Sequence, residues 1–127
     1  GWQLGLKWID SPKANVACSG WSTLSSILST WPDEKLDIAA VKKLIQRVQK
    51  EIHTAPNRVR YCMNSFVISA GSFIKDLTKE ATEVGKKIGE VSVNMNGTYC
   101  KVPYAPDYIK KVADKGYIGK KRKTAKC

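Results

Sequence analysis

Apolar residues recur at steps of three and four through most of the chain, the period of a helix with one buried face. Leu4 and Trp8 already stand in this relation, so an amphipathic helix is under way at the first residues. After Asp10-Ser11-Pro12, residues 13–31 carry Val16, Gly20/Trp21, Leu24, Ile27/Leu28 and Trp31 on one stripe, with Trp21 and Trp31 expected in the core. The serines between positions 22 and 29 favour helix only weakly, so packing must hold this segment. Pro32-Asp33-Glu34 ends it. Asp37 suits the N-cap of the next helix, residues 38–53, whose stripe is Ile38, Val41, Leu44/Ile45, Val48 and Ile52. Its opposite face, Lys42, Lys43, Arg47 and Lys50, reads as an ordinary solvated surface. Pro56 fits the first turn of a third helix, which runs to about Gly71. Past Asn64 that helix is apolar nearly all round, which predicts a central position. Asp76 is expected to open a fourth helix, with Leu77, Ala81, Val84 and Ile88 inward and Gly89 as its stop.

At Val91 the period changes from 3.6 to 2. Val91-Ser92-Val93-Asn94-Met95 alternates, Asn96-Gly97 follows, and residues 98–102 are β-prone, which together predict a hairpin. A short helix over residues 106–115 closes at Gly116. Helices joined by tight Pro, Asp and Gly turns suggest stacked antiparallel pairs, so the expected fold is an all-α solenoid fragment with a small β-hairpin near its C-terminal end. Residues 1–118 form the helical part and residues 119–127 a basic tail. Such arrays need about three or more repeats to be stable. The chain also opens without Met or a capping residue, with Trp2 and Trp8 close behind. Both features predict the C-terminal part of a longer protein, self-associating through an apolar N-terminal edge.

Charge adds a partner to this picture. The 127 residues hold 22 Lys+Arg against 11 Asp+Glu, a net charge of +11, and residues 101–127 alone carry nine basic and two acidic side chains. In Gly119-Lys120-Lys121-Arg122-Lys123-Thr124-Ala125-Lys126-Cys127 five residues are cationic and none is acidic. Burial cannot repay the ordering of such a segment, so it points to an external polyanion, and a merely solvated end is the alternative. No bulky amphipathic helix adjoins the cluster, which argues against a membrane surface. No apolar run approaches the roughly 20 residues of a membrane-spanning helix. Arg58 and Arg60 stand where a helix dipole disfavours cations, which suits a phosphate contact, with pairing to Glu51 or Asp76 as the structural alternative.

Cys18, Cys62, Cys100 and Cys127 are widely spaced and form no CxxC pair, so reduced, partly buried thiols in a cytoplasmic protein are expected. His53 reads as a helix-terminal residue favoured by the dipole, with no ligands at metal spacing. No Ser-His-acid set, inward carboxylate pair or phosphate-cradling loop can be assembled. The expectation is no catalytic residue, no metal and no cofactor within these residues.

Three segments resemble one family. Asn57-Arg58-Val59-Arg60-Tyr61-Cys62-Met63-Asn64-Ser65-Phe66-Val67-Ile68, Asn96-Gly97-Thr98-Tyr99-Cys100-Lys101-Val102-Pro103 and the closing Ile118-Gly119-Lys120-Lys121-Arg122-Lys123-Thr124-Ala125-Lys126-Cys127 are similar to the C-terminal half of AlkD-like DNA alkylation repair proteins. The resemblance extends over essentially the whole chain. It implies a HEAT-like solenoid whose concave face cradles duplex DNA. In the family's glycosylases, an aspartate and a first tryptophan would lie before Gly1, and the helix matching residues 56–71 contributes a tryptophan and an arginine. Here Asn64-Ser65-Phe66-Val67-Ile68-Ser69 has neither, and Phe66 sits in an apolar stripe. Base excision by this chain is therefore not expected. With the charge reading above, the expectation is non-specific binding to the duplex backbone through Arg58, Arg60, Lys120, Lys121, Arg122, Lys123 and Lys126. A HEAT-like protein-interaction scaffold without glycosylase activity is the other class of function.

Overall fold

The structure is a computed structural model and describes residues 1–95 and 98–122. Six α-helices build it: α1 Trp2–Trp8, α2 Ala14–Thr30, α3 Ile38–Glu51, α4 Asn57–Phe73, α5 Thr78–Ile88 and α6 Ala105–Asp114. Strands β1 Ser92–Met95 and β2 Thr98–Lys101 separate the last two helices. They pair antiparallel with Val93 opposite Cys100 and Met95 opposite Thr98, in the register of the expected hairpin. Its Asn96-Gly97 turn lies outside the described residues. Val91, Val93 and Val102 are buried, and β1 packs on α4.

The helices form two rows, the all-α, HEAT-like arrangement. Along the pair α1–α2, residue 1 meets Ile27 and residue 5 meets Leu24, so the two run antiparallel. Gly85, near the end of α5, meets Ala105 and Pro106 at the start of α6, which is again antiparallel. Across pairs the direction repeats. Cys18 and Cys62 adjoin near the starts of α2 and α4. Asn64 Nδ2 donates to the Pro103 carbonyl at 2.9 Å, and Gly71 abuts Ile109 farther along, so α6 runs parallel to α4. Helices α2, α4 and α6 thus form a parallel inner row, backed by α1, α3 and α5. The central helix is α4, packed against α2, α3, α5 and α6.

Close approach is set by glycine. A β-carbon at Gly71 would stand 2.5 Å from Ile109 Cδ1, and one at Gly20 would stand 2.7 Å from the Ile9 backbone nitrogen. The core runs unbroken through both rows. Trp21 is fully buried and meets Phe66 edge-on, ring centroids 5.2 Å apart. Asp37 caps α3 as expected, accepting from Ala40 N–H at 3.1 Å. Gly89 ends α5 at φ 74° and Gly116 follows α6 at φ 75°, backbone conformations that favour glycine.

Five expectations change. Trp31 is 37% exposed, because α2 ends one residue earlier and the chain turns away before its ring can enter the core. Leu4 is also exposed, and Gly5 and Ile9 face α2 instead, since Gly5 lets the helices touch. Asp76 lies in a single 3₁₀ turn, and α5 begins at Thr78, whose hydroxyl donates to the Gly71 carbonyl at 2.7 Å. Cys18 and Cys62 form a disulfide across α2 and α4, with Cα atoms 5.6 Å apart, rather than standing as separate thiols. Their separation of 44 residues in sequence hides a contact that only the parallel inner row creates. On α3, Arg47 is not freely solvated: it pairs with Asp10 at 2.7 Å and Glu51 at 2.9 Å, its guanidinium 5.9 Å from the Trp21 ring centroid. Lys42 pairs with Glu80 on α5 at 3.3 Å.

Candidate functional site

The free face of the inner row is a groove of about 960 Å³. Its floor is made of small hydroxyl side chains. Ser22, Ser25, Ser26 and Ser29 come from α2, and Ser65, Ser69 and Ser72 from α4. Ser22, Ser25/Ser26 and Ser29, and Ser65, Ser69 and Ser72, recur at steps of three or four, so each series forms one stripe. Ser25 and Ser29 turn back onto their own helix, donating to the carbonyls of Trp21 and Ser26 at 2.9 and 2.8 Å. Ser72 Oγ is buried without a hydrogen-bond partner among the described residues. Tyr61, Tyr108, Tyr117 and Phe73 rise along the sides, with Lys115, Lys120 and Arg122. No acidic side chain lines the groove among the described residues.

The two ends of the groove differ electrically. Because the inner helices are parallel, their N-termini gather at one end and their C-termini at the other, with opposite dipole ends. The C-terminal end is crossed by residues 116–122, which form a strap. At α6 the amides of Gly116 and Tyr117 donate to the carbonyls of Ala113 and Val112, at 2.9 and 3.0 Å, closing the helix in a Schellman arrangement. The chain then turns back across the row. Gly119 N–H donates to the Ser72 carbonyl of α4 at 2.8 Å, and Arg122 N–H to the Ser29 carbonyl of α2 at 2.7 Å. Each amide satisfies a carbonyl that the end of a helix leaves unpaired.

Charges reinforce this closure. Lys121 Nζ donates to the Leu28 carbonyl at 2.9 Å and pairs with Asp33 Oδ1 at 2.8 Å. The Arg122 guanidinium lies 5.2 Å from the Phe73 ring centroid, and the Lys120 ammonium 4.9 Å from that of Tyr117. The start of the basic tail is therefore docked, contrary to the expectation that burial could not hold it. Two backbone amides and one ammonium supply the ordering energy that apolar side chains lack.

The expected contact residues are thus spread over the molecule. Lys120 and Arg122 line the groove, whereas Lys121 is engaged with α2 and Asp33. Lys123 and Lys126 lie outside the described residues. Arg58 is exposed, with no ion-pair partner among the described residues. It stands one turn before Tyr61 on the same stripe of α4, at the N-terminal end of the groove. Arg60 points elsewhere: its Nε donates to the Ala55 carbonyl at 2.7 Å. Neither arginine takes Glu51 or Asp76, the partners weighed from sequence. Phe66 is fully buried in the core. His53 Nε2 donates to the Ile88 carbonyl at 2.8 Å, so it closes α5, the neighbouring outer helix, rather than its own. From sequence the serines of residues 22–29 read only as weak helix formers and Tyr108 as part of an apolar helix face, although it is 44% exposed, and Tyr61 and Tyr117 carry no role. The serine spacing was a readable signal, since it runs beside the apolar stripe at the same period.

A solved structure shares this architecture. Described as "A new family of proteins related to the HEAT-like repeat DNA glycosylases with affinity for branched DNA structures", it superposes on 98% of the chain with a TM-score of 0.91 and 27% identity. This likeness supports the AlkD-like resemblance read from the sequence. The chain covers 53% of that solved chain. The uncharacterized proteins Lmo0209 of Listeria monocytogenes and Lin0241 of Listeria innocua are each 35% identical, over 108 and 109 residues. The chain spans about half the length of these curated relatives, 45% and 46%. No family model matches it. Among the described residues no helix is long and apolar enough to cross a membrane.

Proposed function

We propose that this AlkD-like chain is a DNA-binding part of its protein, holding the phosphate backbone along the inner groove. The observation that carries the reading is a concave face lined, among the described residues, by three cations and no acid, in a fold whose solved relative has affinity for branched DNA. Arg58 marks one end, beside the helix N-termini, and Lys115, Lys120 and Arg122 mark the other. From residue 58 to residue 72, a helical rise of about 1.5 Å per residue gives about 21 Å. At about 3.4 Å per nucleotide along a strand, that is room for about six phosphates. Contacts of this kind carry no sequence information, so binding is non-specific. Branched DNA offers the same backbone and belongs among the substrates.

The docked strap dictates how this is tested. Deleting residues 119–127 would remove caps as well as charge, so neutralising substitutions are the cleaner perturbation. With about five phosphate contacts, log K falls with log salt at a slope near −4.5, and duplex affinity lies at about 10⁻⁴–10⁻⁶ M. The variant Lys120→Gln/Arg122→Gln/Lys123→Gln, with Lys121 retained, is expected to bind more weakly and with a slope shallower by about 2 to 3. Arg58→Gln is expected to reduce the slope by about 1. Fluorescence anisotropy at several salt concentrations reads both. Curves unchanged by these substitutions, or no binding at all, would overturn the proposal and leave the protein-interaction scaffold.

A further inference from the structure

Resting on the DNA-binding reading, we propose that Tyr61, Tyr108 and Tyr117 stack on unpaired bases, so that the groove selects single-stranded nucleotides over intact duplex. Large apolar groups are costly to leave in water, and the described residues expose only five: Leu4, Trp31, Tyr61, Tyr108 and Tyr117. All three tyrosines are on the same groove, at 49%, 44% and 53% exposure. They come from three separate segments: an inner helix, the next inner helix, and the strap. Helical periodicity cannot explain that convergence, because no single stripe contains all three.

The surroundings fit a nucleotide. A base needs an aromatic face and its phosphate needs a cation nearby, and Lys120 holds its ammonium 4.9 Å from the Tyr117 ring centroid. Arg122 and Lys115 lie in the same groove, with no acid among the lining residues described. Between α2 and α4 the floor is serine, whose small side chains leave depth beneath the rings. The buried, unpartnered Ser72 hydroxyl adds a polar group there. The volume of about 960 Å³ is at the upper end of the roughly 300–1,000 Å³ typical of ligand pockets. Duplex bases already stack on one another and show only their edges, so a tyrosine ring can take a base face only where pairing is lost. At a DNA branch such bases are at hand.

Base–aromatic stacking alters affinity by roughly 5- to 150-fold per base. The test compares a forked DNA carrying single-stranded oligo-dT arms with a blunt duplex of equal phosphate number, by anisotropy at fixed salt. The wild-type chain is expected to bind the fork at least 5-fold more tightly. Tyr61→Leu, Tyr108→Leu and Tyr117→Leu are each expected to lower fork affinity by about 5-fold or more. Duplex affinity and its salt slope stay within about twofold. Tyr→Phe at each position, which keeps the ring, restores fork binding, and thermal melts confirm that the variants fold. Equal affinity for fork and duplex, or equal losses on both in the Leu variants, would overturn the stacking while leaving backbone binding intact. Failure to bind either DNA would remove the DNA reading and the stacking with it.

Discussion

Lys121 offers a quantitative test of the docked strap. Its ammonium spans two acceptors, the Leu28 carbonyl in the last turn of α2 and Asp33 Oδ1, and its side chain is only 19% exposed. Asp33 is 38% exposed, so the ion pair itself is discounted to about 0.2–1 kcal/mol. A cation at a helix C-terminus contributes about 0.3–1 kcal/mol. Asp33 Oδ1 is buried and the ammonium is its partner among the described residues, so removing the lysine strands a charged acceptor at a cost of about 1–3 kcal/mol. These contributions overlap, and Lys121→Met is expected to destabilise by about 2 kcal/mol. Asp33→Asn should cost less, about 1 kcal/mol, because the ammonium keeps its carbonyl. The double variant should cost less than the two together, since neither partner is left stranded. Urea unfolding followed by circular dichroism measures all three, with Lys120→Met as an exposed control expected within about 0.5 kcal/mol of wild type. A Lys121→Met variant as stable as that control, or strictly additive losses, would refute the reasoning.

Gly71→Ala should destabilise by about 1–3 kcal/mol, because its methyl would meet Ile109 Cδ1 at 2.5 Å, and a melt that is unchanged would show that α6 can move aside freely. Reduction of the Cys18–Cys62 link should free two further thiols in a denatured thiol titration and cost about 2–4 kcal/mol of stability; equal thiol counts before and after reductant would disprove the link. We also expect concentration-dependent self-association through the α1 edge, where Leu4 is 45% exposed and Trp31 37%, to weaken in Leu4→Gln. A monomeric sedimentation profile at high concentration would remove this expectation.

The elements were readable because each carries a local signal. Asp37, Gly89 and Gly116 stand where helices begin and end, and the change of period at Val91 marks the hairpin. The central place of α4 followed from its run of apolar and small residues past Asn64. What escaped notice was non-local. No window of sequence brings Cys18 to Cys62 or Lys121 to Leu28, or puts Tyr61 and Tyr117 on one groove, because each depends on segments many residues apart. The docking of residues 119–122 is hidden for a related reason. Composition scores side chains, whereas the strap is held also by its backbone amides at Gly119 and Arg122. Arg58 and Arg60, two residues apart, pointed to one role from sequence, yet a helix sends them about 200° apart around its axis. Only Arg58 stands on the groove stripe.

The strap ties the three inner helices together at their C-terminal ends, much as ribs are riveted at the base of a fan. At the opposite end one sulfur–sulfur bond is the tie between α2 and α4. While that bond stands both ends of the α2–α4 seam are held, and once it is cut any widening is lopsided, greatest near Arg58 and least near Arg122. Cutting the sulfur bond would let the ribs spread without unseating the rivet. The width available to a bound strand is thus set at the N-terminal end, while the C-terminal end supplies a fixed point of reference.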